Sequence, residues 1–189
     1  MSASSEILRA YRGFSASMRR QMESGPGEER LLAYVVTACL IFFVARVPNL
    51  LALSQAQATD EISPTAIFMT NLVGSFFFAP LMLYALAALS HIVALGFSGQ
   101  GTFFYARLAL FWSLLVVSPL ALLSTALEAA LPFVWLEQSL WLVKFLVFAF
   151  AWASCLSEAE GYKSPMLTMS AIILTAFGLT LVFRVLLAT

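Results

Sequence analysis

Charged residues are scarce in this sequence. Only 11% of its 189 residues are Asp, Glu, Lys or Arg, while 61% are hydrophobic. Soluble domains carry about a quarter charged residues and roughly half apolar ones. A soluble core of this chain length could not hide the apolar excess, so the composition excludes an ordinary soluble protein. It indicates a single integral membrane domain.

Cysteine and histidine are also rare. Cys39 and Cys155 lie in or beside apolar runs, as expected of reduced packing residues rather than of a disulfide framework. His91 is the only histidine, and one histidine with two distant cysteines is too few ligands for a metal site. We therefore predict no cofactor. We expect no acid at the depth of His91, so this residue is predicted to make a helix-packing hydrogen bond rather than to serve in a Ser-His nucleophile.

The sequence lacks a catalytic set as well. Residues 99–101, Gly-Gln-Gly, have neither the spacing nor the lysine of a phosphate-binding loop, and they are interpreted as a turn. Glu158 and Glu160 could pair as catalytic acids, but they stand near Lys163 in the polar stretch 157–165. We interpret that stretch as a solvated loop. A membrane enzyme is therefore the least favoured functional class.

Long apolar runs dominate what is present. Each run reaches the roughly 18–20 residues that cross a bilayer core. The runs on either side of the turn at 98–102 predict an antiparallel helical hairpin. Pro48 is expected to kink its helix or end it early. The long second span is expected to tilt, to kink at Pro80 or to start in the headgroups. The predicted spans are residues 31–53, 66–96, 108–127, 133–155 and 166–187. The predicted fold is all-α, a polytopic bundle of five transmembrane helices.

A basic amphipathic helix is predicted for residues 4–23, where apolar residues recur every three or four positions. Gly13 weakens this helix, and Gly-Pro-Gly at 25–27 ends it. The predicted organisation is an N-terminal segment, 1–27, followed by a transmembrane domain, 28–189. The helix could lie on an anionic membrane surface or pack on the protein's own cytoplasmic end. The residues that carry the membrane-surface interpretation are Arg9, Tyr11, Arg12, Phe14, Arg19 and Arg20.

The distribution of basic residues predicts the orientation. Five arginines precede the first span, Arg107 and Lys163 flank alternate loops, and the first and third loops hold no base. The positive-inside rule then places the N-terminus in the cytoplasm and, with five spans, the C-terminus in the periplasm of a bacterial inner membrane. Arg46 and Arg184 lie near the outer ends of their spans and run against this pattern.

Four charged residues in or beside the spans are candidate functional residues. Lys144 lies inside the fourth span, where a charge is costly and is a functional hypothesis by default. Its candidate partners are Glu137, on the same helical face, and Glu128, in the third loop. Arg46 could snorkel to the far interface. A structural ion pair or snorkelling is one interpretation of Lys144. The other is an ion or solute path, which makes a small transporter or channel the rival function.

Residues 78–123 carry a family resemblance. The elements are the helix ending in Ser90-His91, the Gly99-x-Gly101-Thr102-Phe103 turn, and the third helix from Phe111-Trp112 to Pro119. They resemble the bacterial branch of the Yip family, the Ypt-interacting membrane proteins, and the stretch 157–165 also fits. The resemblance covers about residues 30–188. It implies five spans and a cytoplasmic N-terminus.

The resemblance and the charge balance together define the expected partners. Eukaryotic Yip members act in vesicle transport with Rab/Ypt GTPases, but their Asp-Leu-Tyr-Gly-Pro motif before the first span is absent here. That absence leaves a GTPase partner without support. The 10 Lys and Arg balance the 10 Asp and Glu, so no nucleic acid partner is predicted. We expect a non-enzymatic protein that acts in membrane organisation, or in binding and assembling other membrane proteins, with the lipid bilayer as its constant partner.

Overall fold

The computed structural model describes residues 3–58, 62–131 and 133–162. In these ranges the chain forms seven α-helices and one π-helical turn, with no strand. The elements are α1 (Ala3–Ala10), α2 (Phe14–Glu23), α3 (Glu28–Ala56), α4 (Pro64–Val73), the π turn (Gly74–Phe78), α5 (Ala79–Gly96), α6 (Phe103–Ala130) and α7 (Val134–Glu160). The predicted all-α fold is confirmed.

Four helices are long and apolar enough to cross a membrane, and the chain is a helical membrane protein. They are α3, the continuous helix from α4 through α5, α6 and α7. Each extends past its predicted span at one end or at both, and at some starts a capping side chain fixes the first residue. At α6, for example, the Thr102 hydroxyl accepts the Tyr105 amide N–H at 3.4 Å. The predicted span 166–187 lies outside the described residues.

The prolines inside the long helices do not end them. α3 continues past Pro48 to Ala56, so an early end at this proline is wrong, and α6 likewise continues past Pro119. Pro80 directly follows the π turn and the first residue of α5. A proline ring clashes with the carbonyl four residues earlier and removes one helical hydrogen bond. The wider π turn provides the local adjustment at this position.

α6 is the central helix of the bundle. Its consecutive residues 108–113 are all buried, which requires neighbours on every side of the helix. α3, α5 and α7 pack against it, and α1 and α2 add further contacts. Ser113, Ser118 and Ser124 are buried there, and each hydroxyl donates to the carbonyl three residues earlier at 2.8 Å. The buried serine hydroxyls of α6 are therefore hydrogen-bonded without water.

The predicted N-terminal helix is two helices, because the chain turns between Ala10 and Phe14. Gly13 has no Cβ and weakens helix at this point. α2 then packs against α7 and α6, with Met18 fully buried. The Trp112 indole N–H donates to Ser17 Oγ at 3.1 Å. Of the two interpretations left open by the sequence, packing against the bundle is the one that describes α2.

The helix ends define two ends of the bundle. α3 and α6 begin at the proximal end, where α1 and α2 also lie and where α5 and α7 end. The distal end contains the last turns of α3 and α6 and the first turns of α4 and α7. Both ends contain charged side chains that pair across helices.

Candidate functional site

A buried carboxylate lies at the proximal end. α7 continues to Glu160 and ends at Gly161, whose φ of 74° favours glycine. The Tyr162 amide N–H donates back to the Ser157 carbonyl at 2.8 Å, which closes the helix end. The Glu160 side chain has 0% exposure. The predictions that the fourth span ends at residue 155, and that Glu158 and Glu160 lie in a solvated loop, are therefore wrong.

Glu160 is held by three residues of other elements. Its Oε1 lies 2.7 Å from His91 Nδ1, and its Oε2 accepts the Gly101 N–H at 3.1 Å. The Gln100 N–H donates to its backbone carbonyl at 3.0 Å. An ionised carboxylate can only accept, so in its ionised form Glu160 pairs with the His91 tautomer that carries the proton on Nδ1. The prediction that no acid lies at the depth of His91 is wrong, because α7 places Glu160 there. We call His91, Gln100, Gly101 and Glu160 the Glu160 cluster.

Two glycines allow the turn between α5 and α6 to approach Glu160. A Cβ on Gly101 would lie 2.7 Å from Glu160 Oε2 and would collide with the Ala159 carbonyl oxygen. A Cβ on Gly99 would lie 2.7 Å from the same carboxylate oxygen. Both distances are shorter than real Cβ contacts. The glycine pattern at 99–101 therefore belongs to a packing site as well as to a turn.

Tyr162 ties the end of α7 to the end of α5. Its hydroxyl donates to the Ala94 carbonyl at 2.6 Å, and the same carbonyl accepts the Gly99 N–H at 2.9 Å. Burial, together with the negative charge of Glu160, raises the pKa of Tyr162, so its hydroxyl remains a donor at neutral pH. In the described part of the chain, His91 bonds to no hydroxyl or thiol. The Glu160 cluster therefore clamps α5, the turn and α7 together and forms no nucleophilic triad there.

Arg107 makes a second proximal connection, between α6 and α3. Its two terminal nitrogens contact the carboxylate oxygens of Glu28 at 2.8 and 2.6 Å. Its guanidinium carbon lies 4.7 Å from the centroid of the Phe103 ring and 5.6 Å from that of Tyr84. Paired contacts and stacking on rings are both specific to the planar guanidinium, so a lysine could not replace Arg107.

Lys144 and Glu128 meet at the distal end. Lys144 Nζ lies 3.5 Å from Glu128 Oε1, and the side chains are 28% and 19% exposed. Helical side chains lean toward the N-terminus of their own helix. Because α6 and α7 are antiparallel, Lys144 leans toward the distal end and Glu128 toward the middle of the bundle. Of the two predicted partners, Glu128 is the one in contact. Glu137 is exposed and forms no ion pair within the described ranges.

These charges line an open groove between α3, α6 and α7. The distal groove has a volume of about 760 Å³, and its lining residues are Asn49, Glu128, Glu137, Gln138, Trp141, Leu142 and Lys144. An adjoining cavity of about 300 Å³ shares three of these residues and continues to Pro48 and Thr125. Toward the proximal end, α6 presents the buried side chains of Trp112, Leu115 and Val116. Among the described residues, neither space is lined by any part of α6 before Thr125.

The remaining candidate charge, Arg46, lies apart from this groove. It is exposed on α3 and lines a separate cavity of about 410 Å³ with Cys39, Phe42 and Ser75 among its neighbours. The four predicted candidates are thus divided between two places. Cys39 and Cys155 are both free and buried, as predicted for packing residues.

The residues predicted for a membrane surface divide into two groups. Tyr11 donates its hydroxyl to the Val116 carbonyl at 2.7 Å, the Phe14 ring lies 5.9 Å from that of Phe150, and Arg19 Nε contacts Glu158 at 2.7 Å. These three contact the bundle. Arg9 and Arg20 each approach Glu6 at 3.4 Å, and Arg12 is exposed. Membrane-surface binding remains a prediction for α1, where Leu8 is 71% exposed.

Sequence reasoning missed the Glu160 cluster, although one signal for it was present. Gly161 is a helix stop signal, and it marks the end of α7 at Glu160 rather than at Cys155. An acid on the last turn of a membrane helix needs a partner, and His91 was available. No group of three or more His, Cys, Asp or Glu able to hold a metal occurs in the described part of the chain.

No family model, curated protein or solved structure matches this chain. The Yip resemblance therefore remains an expectation based on the residues of the 78–123 stretch. Functional inference depends on the fold and on the two charged clusters.

Proposed function

We propose that this chain is a non-enzymatic, Yip-like protein of the bacterial inner membrane that binds and assembles other membrane proteins. One observation carries the proposal. The helix from Pro64 to Gly96 is 33 residues long, yet only Ala87 and Ala94 of it are buried in the bundle. A helix with only two buried residues leaves an exposed surface that a partner can cover.

The surface around the π turn supports a protein partner. Phe77, Phe78, Leu81 and Met82 are 60–73% exposed. A Cβ built on Gly74 would meet nothing within 4 Å, so a neighbouring helix can approach the backbone closely there. Membrane helices associate through close packing at small residues, because lipid provides no hydrophobic driving force. We call Gly74, Phe77, Phe78, Leu81 and Met82 the α5 face.

The orientation that we propose follows the basic residues. The stretch from α1 to the start of α3 contains five arginines, which favours a cytoplasmic proximal end. The distal end would then be periplasmic, as would the C-terminus of a five-span chain.

Transport is the second candidate, because the distal groove does reach Lys144. A transporter needs a route past the middle of the bilayer, usually at an interface between repeats or broken helices. Here α6 lines the groove and its adjoining cavity only from Thr125 onward, and Trp112, Leu115 and Val116, closer to the start of α6, are at most 4% exposed. This packed core favours binding over transport.

Photocrosslinking in cells tests the proposal. A benzophenone amino acid at Phe77 or Leu81 is expected to give discrete protein adducts in the membrane fraction. The matched control is the same probe at Phe145 on α7, which is 53% exposed but lies outside the α5 face. Adducts to lipid alone at Phe77 and Leu81, or the same protein adducts at all three positions, would contradict partner binding by this face.

A further inference from the structure

We propose that the distal groove binds a zwitterion that carries both a phosphate and an ammonium group, supplied by an aminophospholipid such as phosphatidylethanolamine. The inference goes beyond the assembly of membrane proteins and does not depend on it. Its basis is the charge, shape and lateral opening of the groove.

The charges in the groove fit a ligand with both signs. Glu128 and Glu137 are acidic, and Lys144 is basic. An anion alone would meet two carboxylates, and a metal ion would meet the ammonium of Lys144. A ligand that presents a phosphate to Lys144 and an ammonium to the two acids places an opposite charge beside each charged side chain of the groove. The volume of about 760 Å³ falls within the roughly 300–1,000 Å³ of small-molecule sites.

The groove has unused hydrogen-bonding capacity. The Lys144–Glu128 contact of 3.5 Å is longer than the roughly 2.7–2.9 Å of a strong charged hydrogen bond. An ammonium has three donors, so Lys144 can bind a phosphate oxygen while Glu128 stays nearby. Glu137 forms no ion pair with any described residue and can accept from the ligand's ammonium. Asn49 and Gln138 supply neutral amide donors.

The spacing of Glu137 and Lys144 suits a short headgroup. They are seven residues, or two turns, apart on the same side of α7, which is about 10 Å along the axis. The lysine leans toward the N-terminus of α7, so its Nζ is closer to Glu137 than the backbone spacing. A phosphate and an ammonium joined by two carbons can bridge the remaining gap.

The opening of the groove favours a lipid over a soluble zwitterion. Trp141 at its rim is 63% exposed, and Leu142 and Phe145 next to it are 50% and 53% exposed. Tryptophan is enriched at the level of lipid headgroups, and the apolar side chains continue along α7 where acyl chains would lie. A soluble zwitterion would gain no contact from this surface.

Native mass spectrometry of the full chain in mild detergent tests the proposal. The protein is mixed with phosphatidylethanolamine, phosphatidylcholine and phosphatidylglycerol of identical acyl chains. The expected result is preferential retention of phosphatidylethanolamine by about tenfold over phosphatidylglycerol, because one charged hydrogen bond is worth roughly that factor. Phosphatidylcholine should also bind less, since its ammonium has no N–H to donate. Equal retention of the three lipids would overturn the proposal.

Variants assign the binding to the groove. Glu137→Gln is expected to lower phosphatidylethanolamine retention by about tenfold and to leave thermal stability unchanged, because Glu137 is exposed. Lys144→Arg should keep the preference. Glu23→Gln, an exposed acid on α2, is the matched control and should change nothing. An unaltered lipid preference in Glu137→Gln would overturn the site.

A soluble competitor distinguishes the two sources of the headgroup. Phosphoethanolamine in tenfold excess is expected not to displace the lipid, because it lacks the acyl contacts. Displacement under those conditions would overturn the lipid as the ligand and would favour a free zwitterion in the same groove.

Discussion

The Glu160 side chain is fully buried. Burying an ionised side chain costs free energy, so the residues around Glu160 are constrained. Buried carboxylates require full hydrogen bonding, and removal of one partner costs far more than the interaction itself contributes. The Glu160 carboxylate contacts His91 Nδ1 and accepts the Gly101 N–H, the Gln100 N–H donates to the Glu160 backbone carbonyl, and two glycines make room for this approach. Five positions, His91, Gly99, Gln100, Gly101 and Glu160, are therefore coupled.

The first prediction compares the removal of His91 alone with the removal of both His91 and Glu160. His91→Ala is expected to lower the free energy of unfolding by roughly 3–5 kcal/mol, because it leaves Glu160 buried without its imidazole. Adding Glu160→Ala should recover part of that loss, since no carboxylate remains to be satisfied. Glu158→Gln is the control and should have little effect, because its partner Arg19 is 63% exposed. Denaturation in detergent provides the measurement, and additive losses in the double variant would contradict the coupling.

The second prediction concerns the distal ion pair. Lys144→Met is expected to destabilise the protein by about 1–3 kcal/mol, because Glu128 stays half-buried and loses its cation. Combined with Glu128→Gln, the same change should be tolerated. Glu137→Gln should not rescue it, since Glu137 is not in contact with Lys144. Thermal unfolding of the three variants in detergent compares them, and rescue by Glu137→Gln alone would show that the lysine pairs with the other acid.

At the scale of the element, the two helices of the N-terminal segment have different surroundings. α2 is part of the bundle through Ser17, Met18 and Gln21, which are all buried. α1 keeps Leu8 and Arg9 at the surface, and Arg12 is exposed in the turn that follows it. The break at Gly13 lets the two helices take different orientations, so α1 can face lipid headgroups while α2 faces protein.

The third prediction tests this division of roles. Replacing Leu8 and Arg12 together by Ser is expected to weaken binding of a peptide of residues 1–24 to anionic vesicles, because both the apolar contact and the charge are lost. Met18→Ser in the same peptide should also weaken it if the whole stripe binds lipid. In the full-length protein, Met18→Ser should instead lower thermal stability. Circular dichroism with anionic and neutral vesicles measures the peptides, and equal helicity on both vesicles would exclude an electrostatic contribution.

The elements that could be predicted are those with a local signal. The apolar runs predicted α3, α6 and α7, and Gly13 and residues 25–27 marked breaks that the structure contains. What could not be predicted depends on pairing between distant positions. His91 and Glu160 are 69 residues apart, and no periodicity links them. The choice between Glu128 and Glu137 likewise needed the antiparallel geometry of α6 and α7, because each acid alone was an acceptable partner for Lys144.

At the scale of the whole molecule, the fourth prediction concerns the orientation of the chain in the membrane. In a background with Cys39→Ala and Cys155→Ala, a membrane-impermeant maleimide is expected to label Gln57→Cys, at the distal end of α3, in spheroplasts. Arg12→Cys should be labelled only after the membrane is opened. A reporter fused after residue 189 should be active in the periplasm if the chain has five spans. Labelling of Arg12→Cys from outside would reverse the orientation.

The long-range contacts of α7 also determine the order of events during biosynthesis. Arg19 is synthesised 139 residues before its partner Glu158, and Ser15 precedes the Ser154 carbonyl that it bonds by the same distance in sequence. During that interval α2 has only the earlier helices to bind, and His91 on α5 has no Glu160 beside it. A ribosome that stalls before residue 160 therefore leaves a nascent chain with an open proximal end. Membrane proteases and chaperones that recognise unpaired polar groups could distinguish this chain from the finished one, so α7 acts as the step that commits the protein to its folded form.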